Sequence, residues 1–167
     1  GDDGRTIHSS RDGRRTGQAR MRLQKNTSLA LYSVLESASQ PQRHISAAEI
    51  AARLGASPHH LAKVLAELAR AGILESARGV GGGYRFAGNA RRLTLLDIVQ
   101  MFEDMGPHPD AVAATPIERA IATILSEIDE HALATFASIT LATMLRLIER
   151  QRTVKAQPAS PRAIKPL

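Results

Sequence analysis

The chain has 167 residues, enough for one compact domain with a modest core, and its 43% hydrophobic content is normal for a globular protein. Lys and Arg number 22 against 16 acidic residues, so the surface is expected to attract polyanions, although a basic composition can also serve solubility alone. No apolar run approaches the roughly 18 residues that span a bilayer, and no signal core follows a charged start. The absence of cysteine excludes disulfides and fits a reducing compartment, so we expect a cytoplasmic protein without membrane contact.

The two ends of the chain differ in composition from the middle. Residues 1–20 are rich in Gly, Ser, Asp and Arg, which predicts a disordered extension or a remnant of cloning before a candidate natural start at Met21. A basic arm that touches a polyanion is the alternative. Residues 151–167 carry three prolines among scattered Lys and Arg, which predicts a flexible tail.

A pair of short amphipathic helices is predicted near the middle of the chain. The first covers Ser46–Leu54 and the second covers His59–Ala71. Gly55 can take a positive φ between them, Ala51 is small where the helices cross, and Gly72 closes the second helix. These features together predict a helix-turn-helix.

A β-hairpin is predicted directly after the helix pair. Ile73–Arg78 and Tyr84–Ala87 have strand character, and Gly79–Gly83 forms a glycine-rich tip between them. A nucleotide loop that cradles phosphate is the rival interpretation, but it would need a strand leading into a helix. The hairpin therefore completes a winged helix-turn-helix.

Two more helices are predicted after the wing. Thr94 is expected to cap a short helix that ends near Phe102, and Pro116 is expected to open a longer one. The longer helix has an apolar stripe at three- and four-residue steps, formed by Ile117, Ile121, Ile124, Leu125, Ile128 and Ala132. The stripe could form an intramolecular core, but we favour a dimer seam because it lies outside the winged domain.

A last helix is predicted at Thr140–Glu149. It is expected to pack on Leu133 and Phe136, or on the DNA-binding domain of a partner.

The sequence resembles the bacterial Rrf-two family, which contains the iron–sulfur cluster regulator, the nitric-oxide-sensing repressor and the cysteine-metabolism repressor. The resemblance rests on Arg78–Ala87, Ser57–Leu65 and Leu93–Glu103, and on the opening Met21–Gln24 with Leu29–Leu35. It spans nearly all of the chain that looks foldable. It implies a homodimeric winged-helix repressor with a long dimerisation helix after the wing.

One departure from the family pattern concerns the cofactor. The best-known members of the family hold an iron–sulfur cluster on three cysteines in the loop before the dimerisation helix, and this chain has no cysteine. Because such clusters are held chiefly by thiolates, we expect no iron–sulfur cofactor and no redox control through thiols.

The candidate DNA-binding residues lie in three places. They are Lys25, Asn26, Thr27, Ser57, His59, His60, Lys63, Arg78, Tyr84 and Arg85. The first three are expected to bind phosphate at the start of a helix, and Lys63 can donate to guanine from a recognition helix. A solvated surface lysine is the alternative for Lys63. The family's wing arginine enters the minor groove, and Arg78 occupies the matching position.

Catalysis and metal binding find little support in the sequence. The adjacent His59 and His60 point about 100° apart on a helix, so they do not chelate as a pair. His108 with Asp110 could reach a metal, but the flanking prolines favour an ordinary rigid turn. No Ser-His-Asp order or carboxylate pair indicates an enzyme.

The sequence thus predicts a mainly α fold, with a winged helix-turn-helix at 21–103, a loop at the family's sensing position at 104–115, and dimerisation helices at 116–150. We expect a homodimeric transcriptional repressor that binds double-stranded DNA at specific sequences. An unknown small-molecule effector is expected near Met101, Met105 and His108. A protein-interaction module without sequence-specific DNA binding is the alternative.

Overall fold

The structure, a computed structural model, describes residues 23–104 and 115–156. The elements are α1 (Lys25–Ser39), α2 (Ala47–Leu54), α3 (Pro58–Arg70), β1 (Leu74–Ala77), β2 (Gly83–Phe86), α4 (Leu95–Phe102), α5 (Pro116–Ser138) and α6 (Leu141–Ala156). A mainly helical fold with one two-stranded sheet confirms the predicted fold class. The expectation for residues 1–20 lies outside the described residues. None of the described helices combines the length and apolar composition that a bilayer-crossing helix needs.

The helix pair begins and ends at local signals in the sequence. The Ser46 hydroxyl accepts the Glu49 N–H at 3.1 Å and caps α2, and Gly55 ends α2 with a φ of 60°. Ser57 caps α3, and Pro58 occupies its first turn, where a missing N–H costs nothing. Both predicted helices are confirmed, although α3 lies one residue earlier at each end.

The predicted hairpin is also confirmed. All four residues of β1 pair antiparallel with β2, with Ala77 opposite Gly83 at the tip. The backbone of Ile45 extends this sheet, since it exchanges two hydrogen bonds of 2.8 Å with Tyr84. A Cβ at Gly83 would lie 2.6 Å from the Ile45 carbonyl oxygen, so this close approach needs glycine. The wing is thereby fixed to the segment that precedes α2.

The core lies where α1, α2, α3, α4 and the wing meet. Its largest fully buried side chains are Ile45, Ile50, Leu61, Leu65, Leu68, Leu74, Ile98, Leu141, Val34, Val64 and Val99. Leu31 and Leu35 pack against this cluster from its edge. The apolar faces of the helix pair therefore point inward, which leaves the opposite face of α3 toward solvent.

Capping boxes start the first two helices after the wing. Thr94 and Asp97 exchange hydrogen bonds at the start of α4, as the Thr94 cap predicts. Thr115 and Glu118 do the same for α5, where Pro116 is the first helical residue, as predicted. Hydrogen bonds from the backbone and hydroxyl of Thr115 hold the pKa of Glu118 below its ordinary value.

The long helix α5 has no buried residue in the described chain. The side chains of its apolar stripe from Ile117 to Ile128 are between 51% and 73% exposed. Helix α5 packs on α4, and Phe136, near the C-terminal end of α5, reaches the core. The predicted helix is confirmed, and none of the described residues covers its apolar face.

The last helix differs from its prediction in three ways. Leu141 is fully buried in the core and its N–H donates to the Leu93 carbonyl at 2.8 Å, so the winged unit does not end at residue 103. Helix α6 packs on α1 of the same chain, a contact that the sequence did not predict. It also continues to Ala156, so the predicted flexible tail is wrong for residues 151–156.

Candidate nucleic-acid interface

Helix α3 presents one face to the core and the other to solvent. Leu61, Val64 and Leu65 are buried, and their packing on α1 and α2 fixes the rotation of the helix. His59 and Lys63 are exposed on the opposite side. Neither forms an ion pair within residues 23–104 and 115–156. The face that the sequence assigns to base edges is therefore free to meet a ligand.

The other two residues predicted on α3 also serve the helix itself. The exposed Ser57 hydroxyl accepts the backbone N–H of His60 at 3.5 Å, so it is a helix cap. His60 is half-buried, and its Nε2 is shielded from solvent without a hydrogen-bond partner in the described part of the chain. In this conformation His60 does not offer Nε2 to DNA.

The two arginines that are predicted to bind DNA in the wing differ in their ion pairing. Arg78 is exposed at the base of the tip, where Gly82 N–H closes a turn onto the Gly79 carbonyl at 3.0 Å. Arg85 forms an ion pair with Glu75 on the neighbouring strand. Only Arg78 therefore has an unpaired guanidinium among the arginines described in the wing.

The third residue predicted in the wing, Tyr84, has a structural role. It is half-buried, packs against the core, and links the wing to Ile45 through its backbone. Its DNA contact stays a prediction.

The start of α1 corrects part of the prediction. Lys25 is exposed and Asn26 is half-buried, but Thr27 has 0% exposure and cannot touch phosphate. The Thr27 hydroxyl donates to Glu103 Oε1 at 2.7 Å, and the same oxygen accepts the Gln24 N–H at 2.6 Å. The N-terminus of α1 thus already has a carboxylate, and the predicted phosphate contact through Thr27 is wrong.

The ion pairs neutralise some of the positive side chains on this surface and leave others without a carboxylate partner. On α1 and α2, Arg53 pairs with both Glu36 and Glu49, and Arg43 also pairs with Glu49. Lys63 and Arg78, by contrast, have no carboxylate partner among the described residues. The uncompensated charge at α3 and the wing is the kind that attracts a phosphate backbone.

The candidate effector region is only partly described. Met101 is half-buried and packs against the core from α4. Met105 and His108 lie outside the described residues. The role of this region remains a prediction.

Sequence reasoning missed two acidic residues of this surface. Glu75 lies opposite Arg85, and the predicted hairpin could have suggested this pair once its register was fixed. Glu103 is 79 residues from Gln24, and no local pattern connects positions so far apart.

The fold is that of a winged helix-turn-helix protein, because it combines the helix pair, the exposed face of α3 and the β-hairpin. Residues 23–147 match the Rrf2 family, described as an iron-dependent transcriptional regulator, and the chain belongs to this family. BadM of Rhodopseudomonas palustris, named as an HTH-type transcriptional regulator, is 48% identical over 134 residues, which are 79% of this chain and 86% of BadM. The chain is accordingly a DNA-binding transcriptional regulator and not an enzyme.

Solved structures share the fold. CymR of B. subtilis, named as the global cysteine regulator, superposes with a TM-score of 0.63 at 22% identity, covering 77% of this chain and 98% of CymR. IscR of T. potens superposes with a TM-score of 0.59 at 25% identity, covering 86% and 96% of the two chains.

The residues of this chain do not fit the iron centre that the family description suggests. The 167 residues include no cysteine, so they supply no thiolate ligand. Within residues 23–104 and 115–156, no three His, Asp or Glu side chains come together as a metal-binding group. A thiolate-held cluster therefore has no donor set here.

Proposed function

We propose that the protein is a homodimeric repressor that reads a pseudo-palindromic operator. The single observation that carries the homodimer is the apolar stripe of α5, whose side chains from Ile117 to Ile128 are more than half exposed in one chain. Full burial of one such side chain in a dimer interface would stabilise the dimer by about 1.5–3 kcal/mol. Two copies of the stripe facing each other would remove this apolar surface from water on both protomers.

In this proposal α3 enters the major groove. Its N-terminal half, with Ser57, His59 and Lys63, faces the base edges, because recognition helices of this class contact bases with their N-terminal residues. The uncompensated charge of Lys63 supports a contact with guanine O6 or N7. Arg78 would insert into a flanking minor groove, where narrow A·T-rich sequence has the strongest negative potential. Lys25 would contact the phosphate backbone.

The regulatory signal would differ from a cysteine-held cluster. A ligand changes DNA affinity only if it binds the two states of the dimer with different affinity. We place such an effector near Met101, which lies on α4 beside the segment that joins the winged unit to α5.

Selection of bound fragments from genomic DNA, combined with sedimentation, tests the proposal. We expect a dimer. Its selected DNA site should contain two half-sites one helical turn apart, roughly 34 Å, and this site should overlap promoters. Salt-dependent binding without any enriched sequence would instead support the protein-interaction alternative. A monomer at micromolar concentration that binds half-sites as well as full sites would contradict the homodimer.

A further inference from the structure

The wing carries an acidic residue on its solvent face. Glu75 and Arg85 stand opposite each other in the antiparallel register, and their side chains form an ion pair. The neighbouring pair, Leu74 with Phe86, packs toward the core. Because side chains alternate between the faces of a sheet, Glu75 and Arg85 project away from the core, and they are 49% and 38% exposed.

This arrangement leaves one wing arginine with an ion-pair partner and the other without one. Arg78, beside the tip, has no ion-pair partner among the described residues, whereas the charge of Arg85 is matched by Glu75. A carboxylate on a surface that approaches a polyanion repels phosphate and lowers the local positive potential. The pair is too exposed to be a strong source of stability, since exposed ion pairs are worth roughly 0–1 kcal/mol. Its main consequence is therefore electrostatic.

We propose that Glu75 restrains DNA binding by the wing, because it competes with DNA phosphates for the guanidinium of Arg85. This inference rests on the proposed contact of the wing with DNA. Affinity that is independent of sequence comes from counterions released when Lys or Arg neutralises a phosphate. An arginine already neutralised by a carboxylate releases fewer of them. Glu75 thus weakens binding to random DNA and leaves the wing dependent on Arg78 and on the shape of the groove.

The restraint is measurable as a change in salt dependence. The affinities of wild type and Glu75→Gln are measured on a random-sequence duplex and on the selected operator over a series of salt concentrations. For Glu75→Gln, we expect tighter binding to random DNA at low salt and a slope of log K against log salt that is steeper by about 0.9 per wing, or about 1.8 per dimer. In Glu75→Gln with Arg85→Gln, the slope should return toward the wild-type value.

Glu149→Gln is the matched control, because Glu149 also pairs with an arginine, Arg152, but lies on α6. It removes the same charge and should leave the slope unchanged. Thermal unfolding of each variant verifies that the wing remains folded.

Three results would overturn the proposal: an unchanged slope in Glu75→Gln, a steeper slope that persists after Arg85→Gln is added, or an equal steepening in Glu149→Gln. In each of these cases wild type still binds its operator, so the proposed function survives. Failure of the proposed function would instead appear as wild type binding no specific sequence.

Discussion

Thr27 and Glu103 are joined by a hydrogen bond of 2.7 Å across 76 residues of sequence. Thr27 has 0% exposure, and Glu103 Oε1 also accepts the N–H of Gln24, the residue that precedes α1. In an ordinary capping box, a carboxylate three residues into the helix accepts this N–H. Here the carboxylate comes from the end of α4, so one side chain satisfies the start of α1 and ties it to the last turn before residue 104.

The first prediction concerns this contact. Thr27→Val removes the hydroxyl but keeps the shape, and it should lower the free energy of unfolding by about 1.5–3 kcal/mol, the range for hydrogen bonds to charged groups. Glu103→Gln keeps a hydrogen-bond acceptor and loses only the negative charge at the N-terminus of α1. It should therefore lower the free energy of unfolding by about 0.3–1 kcal/mol. Urea unfolding measures both.

The control for that prediction is Thr123→Val on α5, an exposed threonine whose hydroxyl bonds the Arg119 carbonyl. It should change stability by less than about 0.5 kcal/mol. In a Glu103→Ala background, Thr27→Val should cost much less than in wild type, because the shared hydrogen bond is already gone. Strictly additive losses would show that the two residues are not coupled.

The second prediction tests Lys63 as a base contact. Lys63→Ala should cost on the order of 1–3 kcal/mol at the selected operator and leave binding to random DNA nearly intact. Fluorescence anisotropy at one fixed salt concentration measures both affinities. Equal losses on operator and random DNA would make Lys63 a phosphate contact only. Arg70→Ala, an exposed basic residue at the other end of α3, is the comparison for loss of charge.

The third prediction assigns Arg78 to the minor groove. Arg78→Ala should weaken binding most at operators whose flanking minor groove is A·T-rich, because narrow grooves concentrate negative potential. The measurement compares operators with A·T-rich and G·C-rich flanks. Arg78→Lys keeps the charge, so a flank preference that Lys fully restores would indicate charge alone and contradict insertion of a guanidinium.

Local signals in the sequence predicted most of the fold. Gly55, Thr94 and Pro116 each act within one helical turn, and each lies at the helix end that the sequence predicts for it. The Thr115–Glu118 capping box also has a local sequence signal, a threonine followed three residues later by a glutamate, but the predicted start of α5 rests on Pro116 alone.

Contacts between distant segments could not be predicted in this way. Leu141 completes the core by pairing its backbone with Leu93, and Thr27 finds Glu103, because the packed fold brings these segments together. Residue type and spacing give no hint of either contact. The same limit explains the error at Thr27, whose position at the start of the first helix suggested a contact with phosphate.

The fourth prediction tests the stripe of α5. Ile124→Glu places a charge in the proposed seam, and each copy loses about 1.5–3 kcal/mol of apolar burial, so the dimer dissociation constant should rise at least about 100-fold. Sedimentation equilibrium measures it. Ser126→Glu is the control, because Ser126 lies about 200° around the helix and is exposed. Dissociation by Ser126→Glu, or none by Ile124→Glu, would place the interface elsewhere.

The fifth prediction follows from the absence of cysteine. The protein purified without oxygen should be colourless, and its affinity for the operator should not respond to iron, nitric oxide or peroxide, since no thiolate from these 167 residues can hold a cluster or be oxidised. Absorption spectra, analysis of iron and sulfide, and operator binding before and after treatment with a chelator measure this directly. A stoichiometric cluster whose removal changes operator affinity would contradict the prediction. If iron copurifies without sulfide, His108→Ala combined with Asp110→Ala decides whether those two residues hold it, because imidazole and carboxylate are the ligands left to a chain that lacks thiols.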